Sequence, residues 1–266
     1  MIMVPVSRID VEHHKITRLK DCIAEERPLH IFVNNVHYAT ILCSPTSLKE
    51  LAVGHLLSEG LAKSVDEISE IDIRKTGKCL VRLKPGVDAE KRIQASRPFA
   101  RLISTTCGSS DYWPLPKLVD RLGLRKLQMS FKVKADVVSQ STRRLNTIAE
   151  TFRRTGGVHV AALYTAEGDL MAYAEDVGRH NAVDKVIGLC SLKKLDLSGC
   201  FLASSGRLTG DIVLKAARMA IPVVSSLAAA TDSGIEVARR TRVTLISFVR
   251  GQRMNVLAFP ERIIIK

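Results

Sequence analysis

Eleven consecutive residues, Glu175-Asp176-Val177-Gly178-Arg179-His180-Asn181-Ala182-Val183-Asp184-Lys185, bring carboxylates, an arginine, a histidine, an asparagine and a lysine into one short run. Acid–base work and anion binding both draw on these residue types. A second candidate is Cys107, set among small and polar residues in 103–114 and followed by Gly108, which leaves its sulfur sterically open. A free cysteine is most often a small buried hydrophobe. That reading suits Cys190 and Cys200, which sit in apolar runs. The polar neighbours of Cys107 also admit a reactive thiol, whose thiolate is the nucleophile. Simpler readings exist for the charged run. Asp184 and Lys185 can be the solvated face of a helix, His180 can bond a backbone group at a helix start, and Arg207 can be an ordinary surface charge.

The elements that would position these residues are legible from periodicity. Residues 28–43 read as a hairpin: Leu29, Ile31 and Val33 alternate, and Asn34-Asn35 supplies a turn able to take positive φ. Residues 45–59 read as a helix, with Leu48, Leu51, Ala52 and Leu56 as an apolar stripe, Ser47 and Glu50 at capping-box spacing, and Gly60 placed to end it. Residues 68–74 and 79–84 suggest a second hairpin. From about residue 128 the pattern changes to strands and helices in alternation: strands at 158–165, 169–175, 201–205, 222–226, 245–250 and 254–259, and helices after 180, from about 209 and from about 232. Asp211 and Lys215 are spaced to pair at i, i+4. Alternating elements predict a sheet covered by helices on both faces, with ligands beyond the carboxyl ends of its strands. Three polar stretches fall at such ends, 175–185, 204–211 and 225–233, which motivates a shared anion or nucleotide pocket. Neither a Walker-type loop nor a dinucleotide-binding Gly-x-Gly-x-x-Gly is present.

Composition narrows the class. The chain has 266 residues and a formal net charge of +13, which favours an anionic partner. The basic residues are scattered as pairs and aromatics make up only 5%, leaving little for a base-stacking platform, so nucleic acid is not the expected partner. No apolar run has the length of a membrane span, and residues 1–10 lack the pattern of a secretory signal. The expected compartment is therefore the cytoplasm. The six cysteines show no Cys-x-x-Cys pair, so neither a disulfide framework nor a structural metal site is expected.

Taken together, the motifs resemble the FdhD family, the formate dehydrogenase accessory proteins that act as sulfur carriers for the molybdenum cofactor. The resemblance runs over nearly the whole chain. It includes Glu26-Arg27-Pro28-Leu29, the stretch 50–60, Thr155-Gly156-Gly157-Val158-His159, the run 175–185, Ser205-Gly206-Arg207, Lys215-Ala216, Ile221-Pro222 and 248–255.

The resemblance implies an α/β chain, α+β overall. A smaller N-terminal α+β domain (1–128) would carry the Cys107 loop, and a three-layer domain similar to cytidine deaminase would follow (129–266). It implies a sulfurtransferase in which Cys107 receives persulfide sulfur from a cysteine desulfurase. The sulfur then passes to the molybdenum of the bis-molybdopterin guanine dinucleotide cofactor before insertion into formate dehydrogenase. The cofactor-contact segment corresponds to Phe248, Val249, Arg250, Gly251, Gln252 and Arg253, and the family suggests a homodimer. In the family the cysteine loop reads Cys-Gly-x-Cys; here it reads Cys107-Gly108-Ser109-Ser110, so the second cysteine is replaced by Ser110. One thiolate suffices to accept sulfur, but a two-cysteine relay is unavailable. That departure keeps a second reading open, a cofactor-binding chaperone that moves no sulfur. A nucleoside deaminase would need His-x-Glu and Pro-Cys-x-x-Cys, and neither occurs. For residues 175–185 the expectation is the floor of the cofactor site, with Arg179 and Lys185 meeting anionic groups and Glu175 and Asp184 holding them.

Overall fold

The computed structural model describes residues 1–94, 119, 124 and 126–265. Within them the chain opens on a two-stranded ribbon, β1 (Ile2–Asp10) and β2 (Lys15–Ile23), paired antiparallel from Ile2↔Ile23 to Asp10↔Lys15. Sequence reading missed this ribbon. Met3-Val4-Pro5-Val6 does not alternate cleanly, and a proline is tolerated only because the strand lies at an edge.

A four-stranded sheet follows, in the order β4-β3-β6-β5. Its strands are β3 (Arg27–Val33), β4 (Val36–Cys43), β5 (Ile68–Ile73) and β6 (Lys78–Leu83). Both expected hairpins form, and Asn34 and Asn35 take positive φ, 47° and 66°, in the first turn. Helix α1 (Leu48–Ser58) packs on this sheet. The expected capping box does not form: Ser47 adopts φ 51° and its side chain caps nothing. The preceding loop instead turns oxygens toward a distant cation, with Lys185 Nζ donating to the Ser44 carbonyl at 3.1 Å and to Thr46 Oγ1 at 3.4 Å.

The larger unit is a six-stranded sheet, order β13-β12-β11-β10-β8-β9. It contains β8 (His159–Thr165), β9 (Leu170–Asp176), β10 (Cys200–Ser204), β11 (Val223–Ser226), β12 (Thr244–Arg250) and β13 (Arg253–Ala258). A short parallel pair, β7 (Val133–Lys134) with β14 (Ile263–Ile264), lies outside it. Side chains alternate across the sheet as the pleat requires. Val160, Ala162, Tyr164, Phe201, Ala203 and Ile246 meet α2 (Ala135–Ile148) through Val138 and Leu145. Ala161, Leu163, Leu202, Val224 and Leu245 meet α4 (Arg179–Leu192), α5 (Gly210–Arg218) and α6 (Asp232–Thr241). The short α3 (Glu150–Thr155) leads into β8. The result is the expected mixed α/β architecture, three-layered in its second half. Val119, Leu124 and Leu127 pack on this larger core.

Two helices join the units. Helix α1 is buried nearly all round because it lies between its own sheet and α4, which explains why 51–57 is apolar beyond a single stripe. The helices touch through backbone at two glycines. A Cβ on Gly54 would sit 1.7 Å from the Asp184 carbonyl oxygen, and one on Gly188 would sit 1.9 Å from that of Glu50. Neither clash can be relieved by a rotamer, because the obstacle is main chain. Gly54→Ala is therefore expected to cost roughly 3 kcal/mol or more. Gly199→Ala, where an added Cβ meets nothing within 4 Å, should be near neutral. Urea denaturation of the two variants compares them; equal midpoints would contradict the backbone contact.

Candidate functional site

The sheet order brings four strand ends together. β9, β10, β11 and β12 all run the same way, and β8 is antiparallel to β9 and β10. The carboxyl ends of four strands and the first residue of β8 therefore share one edge. A cleft of ≈ 470 Å³ opens there, lined by Phe152, Gly156, Gly157, Val158, His159, Val177, Ser205, Leu227, Ala228 and Arg250. Each of the three polar stretches contributes: Val177 from the first, Ser205 from the second, Leu227 and Ala228 from the third.

The expected cofactor segment forms the rim on the β12 side. The β12–β13 register slips between Ser247 and Arg250, and Phe248 within this bulge takes φ 50°. A left-handed conformation is costly for an aromatic residue, and such strain gathers at functional sites. Phe248 is left half-exposed, and the Arg250 guanidinium lies over its ring, 5.1 Å from the centroid. Val249 points the other way into the core and offers only its main chain. Gly251, at φ 58°, makes the exposed turn, and its carbonyl accepts from Ser139 Oγ and Arg143 Nη1, both at 3.3 Å. Gln252 and Arg253 are exposed beyond it. Arg250 alone of the six enters the cleft wall.

The run 175–185 divides into two groups. Its first part serves the cleft. Glu175 accepts from the Thr151 and Phe152 amides at 3.1 and 2.7 Å, so its carboxylate caps α3 and fixes Phe152 in the wall. Arg179 begins α4 and lies against Gly206, where an added Cβ would be 2.8 Å from the Arg179 Cβ. His180 pairs through Nε2 with the Asp211 carboxylate.

Its second part is buried and structural, which corrects the expected roles of Lys185 and Asp184. Lys185 is fully buried, 2.6 Å from Asp176 Oδ2 and 3.2 Å from the Glu175 carbonyl that it donates to. Asp184 accepts from Lys215 Nζ (2.9 Å to each oxygen) and Ser58 Oγ (2.7 Å), and lies 3.0 Å from His55 Nδ1. Lys215 also donates to Glu59 at 2.7 Å. The expected Asp211–Lys215 pair is therefore absent. Lys215 finds two carboxylates in a buried setting, and Asp211 turns to His180.

The pKa directions follow. Burial pushes the Asp184 carboxyl up, but Lys215 and His55 outweigh it and hold it at about 2. Burial opposes Lys215 as well, and Asp184 and Glu59 more than compensate, so its pKa is raised. His159 is lowered, first by burial and then by Arg179, His180 and Arg207. Sequence reading quoted His159 within a motif but assigned it nothing. Only the antiparallel placement of β8 brings its first residue to the cleft.

Cys107 lies outside the described residues. Of the other five cysteines, Cys43, Cys79, Cys190 and Cys200 are buried. Burial pushes the thiols of Cys43 and Cys79 up to about 12 and that of Cys190 to about 11, and raises Cys200 as well. These four are poor nucleophiles at neutral pH. Cys22 is half-buried on the ribbon.

Comparison with known proteins agrees with this arrangement. The model of the FdhD/NarQ family matches residues 24–264. The chain belongs to the FdhD/NarQ family. Among FdhD/NarQ relatives it is similar to a protein of Shouchella clausii named sulfur carrier protein FdhD, 37% identical over 94% of this chain and 92% of that protein. A protein of the same name from Methanothermobacter thermautotrophicus is 35% identical over 98% of each chain. The crystal structure of a candidate formate dehydrogenase accessory protein from Desulfotalea psychrophila superposes with a TM-score of 0.78, at 27% identity and 99% coverage of both chains. The run 175–185 and the β12 turn lie inside the FdhD/NarQ match. Among the described residues, no helix is long and apolar enough to cross a membrane.

The lysine network makes a prediction with a sign. Asp184 is depressed below its ordinary 3.8, so its contribution is complete above that value and is lost as pH falls toward 2, on the order of 2 kcal/mol. In Lys215→Met, Asp184 and Glu59 lose the cation that most lowers them, so burial weighs against the weaker pull of His55 and Arg218 and both are raised. That variant should be about 3–5 kcal/mol less stable at pH 7 and should recover stability as pH falls to 5, while the wild type does not. Urea midpoints at the two pH values check this; parallel behaviour would show that Lys215 is not their counter-ion.

Proposed function

We propose that this chain is a sulfur carrier of formate dehydrogenase maturation, acting in the cytoplasm as a sulfurtransferase. Cys107, as thiolate, attacks the outer sulfur of a cysteine desulfurase persulfide. The desulfurase thiolate leaves and Cys107 carries the persulfide. The outer sulfur would then pass to the molybdenum of bis-molybdopterin guanine dinucleotide, held as cargo, with the Cys107 thiolate as leaving group and a reduced metal supplying the two electrons that convert the sulfur to sulfide, before the cofactor enters formate dehydrogenase. The names of the relatives support the sulfur role; burial of four cysteines leaves Cys22 and Cys107, and the Cys107-Gly108 match to the family's cysteine loop favours Cys107.

One observation carries the cofactor half: the cleft with Arg250 in its wall. It lies at the strand ends where α/β sheets bind ligands. Arg250 offers a planar, permanently charged donor to phosphate, and Phe152, Val177 and Leu227 offer apolar contact to a flat ring. The +13 charge suits a ligand bearing pyrophosphates. Ser110 favours a second reading, delivery of the cofactor without sulfur transfer.

Two measurements test the proposal. Intact-mass analysis after incubation with a cysteine desulfurase and cysteine should show one added sulfur on the wild type and none on Cys107→Ala. No gain on the wild type would leave the chaperone reading, and equal gain on both would remove Cys107 as carrier. Arg250→Ala should weaken binding of a guanine nucleotide by roughly tenfold or more, the weight of a charge-assisted contact. Arg253→Ala, outside the cleft wall, should weaken it less. Unchanged affinity in Arg250→Ala would sink the assignment of the cleft.

A further inference from the structure

His159 is the titratable group of the cleft that the sulfur-carrier reading does not use. It is the first residue of β8, half-buried, beside Ser205 in the lining of the cleft that also contains Arg250. Ser205 Oγ accepts the Val160 amide at 3.0 Å and lies 3.4 Å from His159 Nδ1. The hydroxyl keeps its proton and a second lone pair, so it can meet Nδ1 in either tautomer of the neutral ring. A neutral imidazole has a single N–H, and protonation adds a second donor.

The charges around it are unbalanced. Arg179 and His180 act on it from the start of α4 and Arg207 from the loop after β10, and Arg250 lines the same cleft. Three carboxylates are close to this cluster, and all are engaged, Glu175 by the Thr151 and Phe152 amides. Asp176 is bound by Lys185 Nζ at 2.6 Å and accepts from the Ser44 and Gly178 amides and from Asn181 Nδ2. Asp211 is held by His180. Asp176, the cross-strand partner of His159, favours an imidazolium there, but burial and the surrounding cations together outweigh it. An incoming phosphate supplies the missing negative charge.

We propose that His159 is the anion-sensing residue of the cleft, a neutral imidazole in the empty site that takes up a proton when a phosphate-bearing ligand docks beside Arg250. The proton comes from solvent and returns there on release, so the ligand and one proton bind together. Linkage makes the effect reciprocal: ligand raises the proton affinity of His159, and a fall in pH tightens ligand binding across the interval between the free and bound values. This rests on the reading of the cleft as a nucleotide site. Within that reading it assigns His159 a positioning role in cargo capture and release.

The test uses the full chain and guanosine diphosphate. Calorimetric titration in two buffers of different ionisation enthalpy, repeated from pH 8 down to pH 5, should show net proton uptake by the wild type that grows as pH falls toward the bound-state value of His159. Its affinity should rise as pH falls, by up to roughly tenfold across the interval between the free and bound values for a one-unit rise on binding. His159→Gln keeps a neutral donor; it should bind the nucleotide with no uptake from the protein and a flatter pH profile. Titration of the phosphate itself is common to both proteins, so the difference between them isolates His159. An NMR titration of the wild-type His159 ring, with and without nucleotide, gives the same answer should the variant fail to fold. Binding with identical uptake and pH profile in both proteins, or a ring titration that the nucleotide does not move upward, overturns the role of His159 and leaves the cleft reading standing. Absence of nucleotide binding to the wild type overturns both.

Discussion

Two buried lysines hold the fold together, and the candidate site depends on them. Lys215 reaches Asp184 on α4 and Glu59 just beyond α1, and Lys185 reaches Asp176 at the end of β9 and the loop before α1. Taking such charges out of water costs several kcal/mol per ion, and the attraction between them repays it only with full hydrogen bonding. Here the bonding is nearly complete. Lys215 donates to Ser58, Glu59 and Asp184, and Asp176 receives backbone amides as well as the lysine. The payoff is registry more than stability. The network fixes how α1 lies on α4, and thereby where the turn 176–179 stands at the sheet edge. The glycine contact between the helices permits this, since any side chain at Gly54 would hold α1 away from Asp184.

That registry determines what the cleft can hold. Strands β9 to β12 end at one edge, so polar residues distant in sequence meet there. The same geometry leaves their charges asymmetric. The carboxylates near the turn are taken up by lysines, by His180 or, for Glu175, by the first amides of α3, while Arg179, Arg207, Arg250 and His159 remain around the cleft. A site built this way attracts anions without a dedicated glycine-rich loop. The bulge in β12 adds to it, since the strained Phe248 backbone turns that ring outward and sets Arg250 over it. A hydrogen-bonded strand continuing in register would send these side chains elsewhere.

The order and kind of most elements were legible before any coordinates. Val, Ile and Ala runs alternating with 3.6-residue stripes marked the strands and helices of the second half, because burial against a two-faced sheet writes that pattern directly. Asn34-Asn35 announced its turn for a local reason, tolerance of positive φ. The ribbon 2–23 escaped notice because its apolar residues are largely exposed, so burial imposes no period on it. The family, too, could be read from the motifs, since 175–185 and 248–255 are specific strings.

What the chain alone left open was the task of each charged residue. Lys185 and Asp184 sit beside Arg179 and His180 in sequence and resemble them as ligand-binding groups. The fold sends the first pair into the interior and leaves the second pair near the cleft. The partners that decide this are far away: Ser58 lies 126 residues from Asp184 and 157 from Lys215, and Ser44 lies 141 from Lys185. His159 gained its place at the cleft only through strand order. Spacing along a chain reports local periodicity and the types of groups available. The energy of a charge depends on its burial and on its nearest opposite charge, and both arise only when distant segments pack.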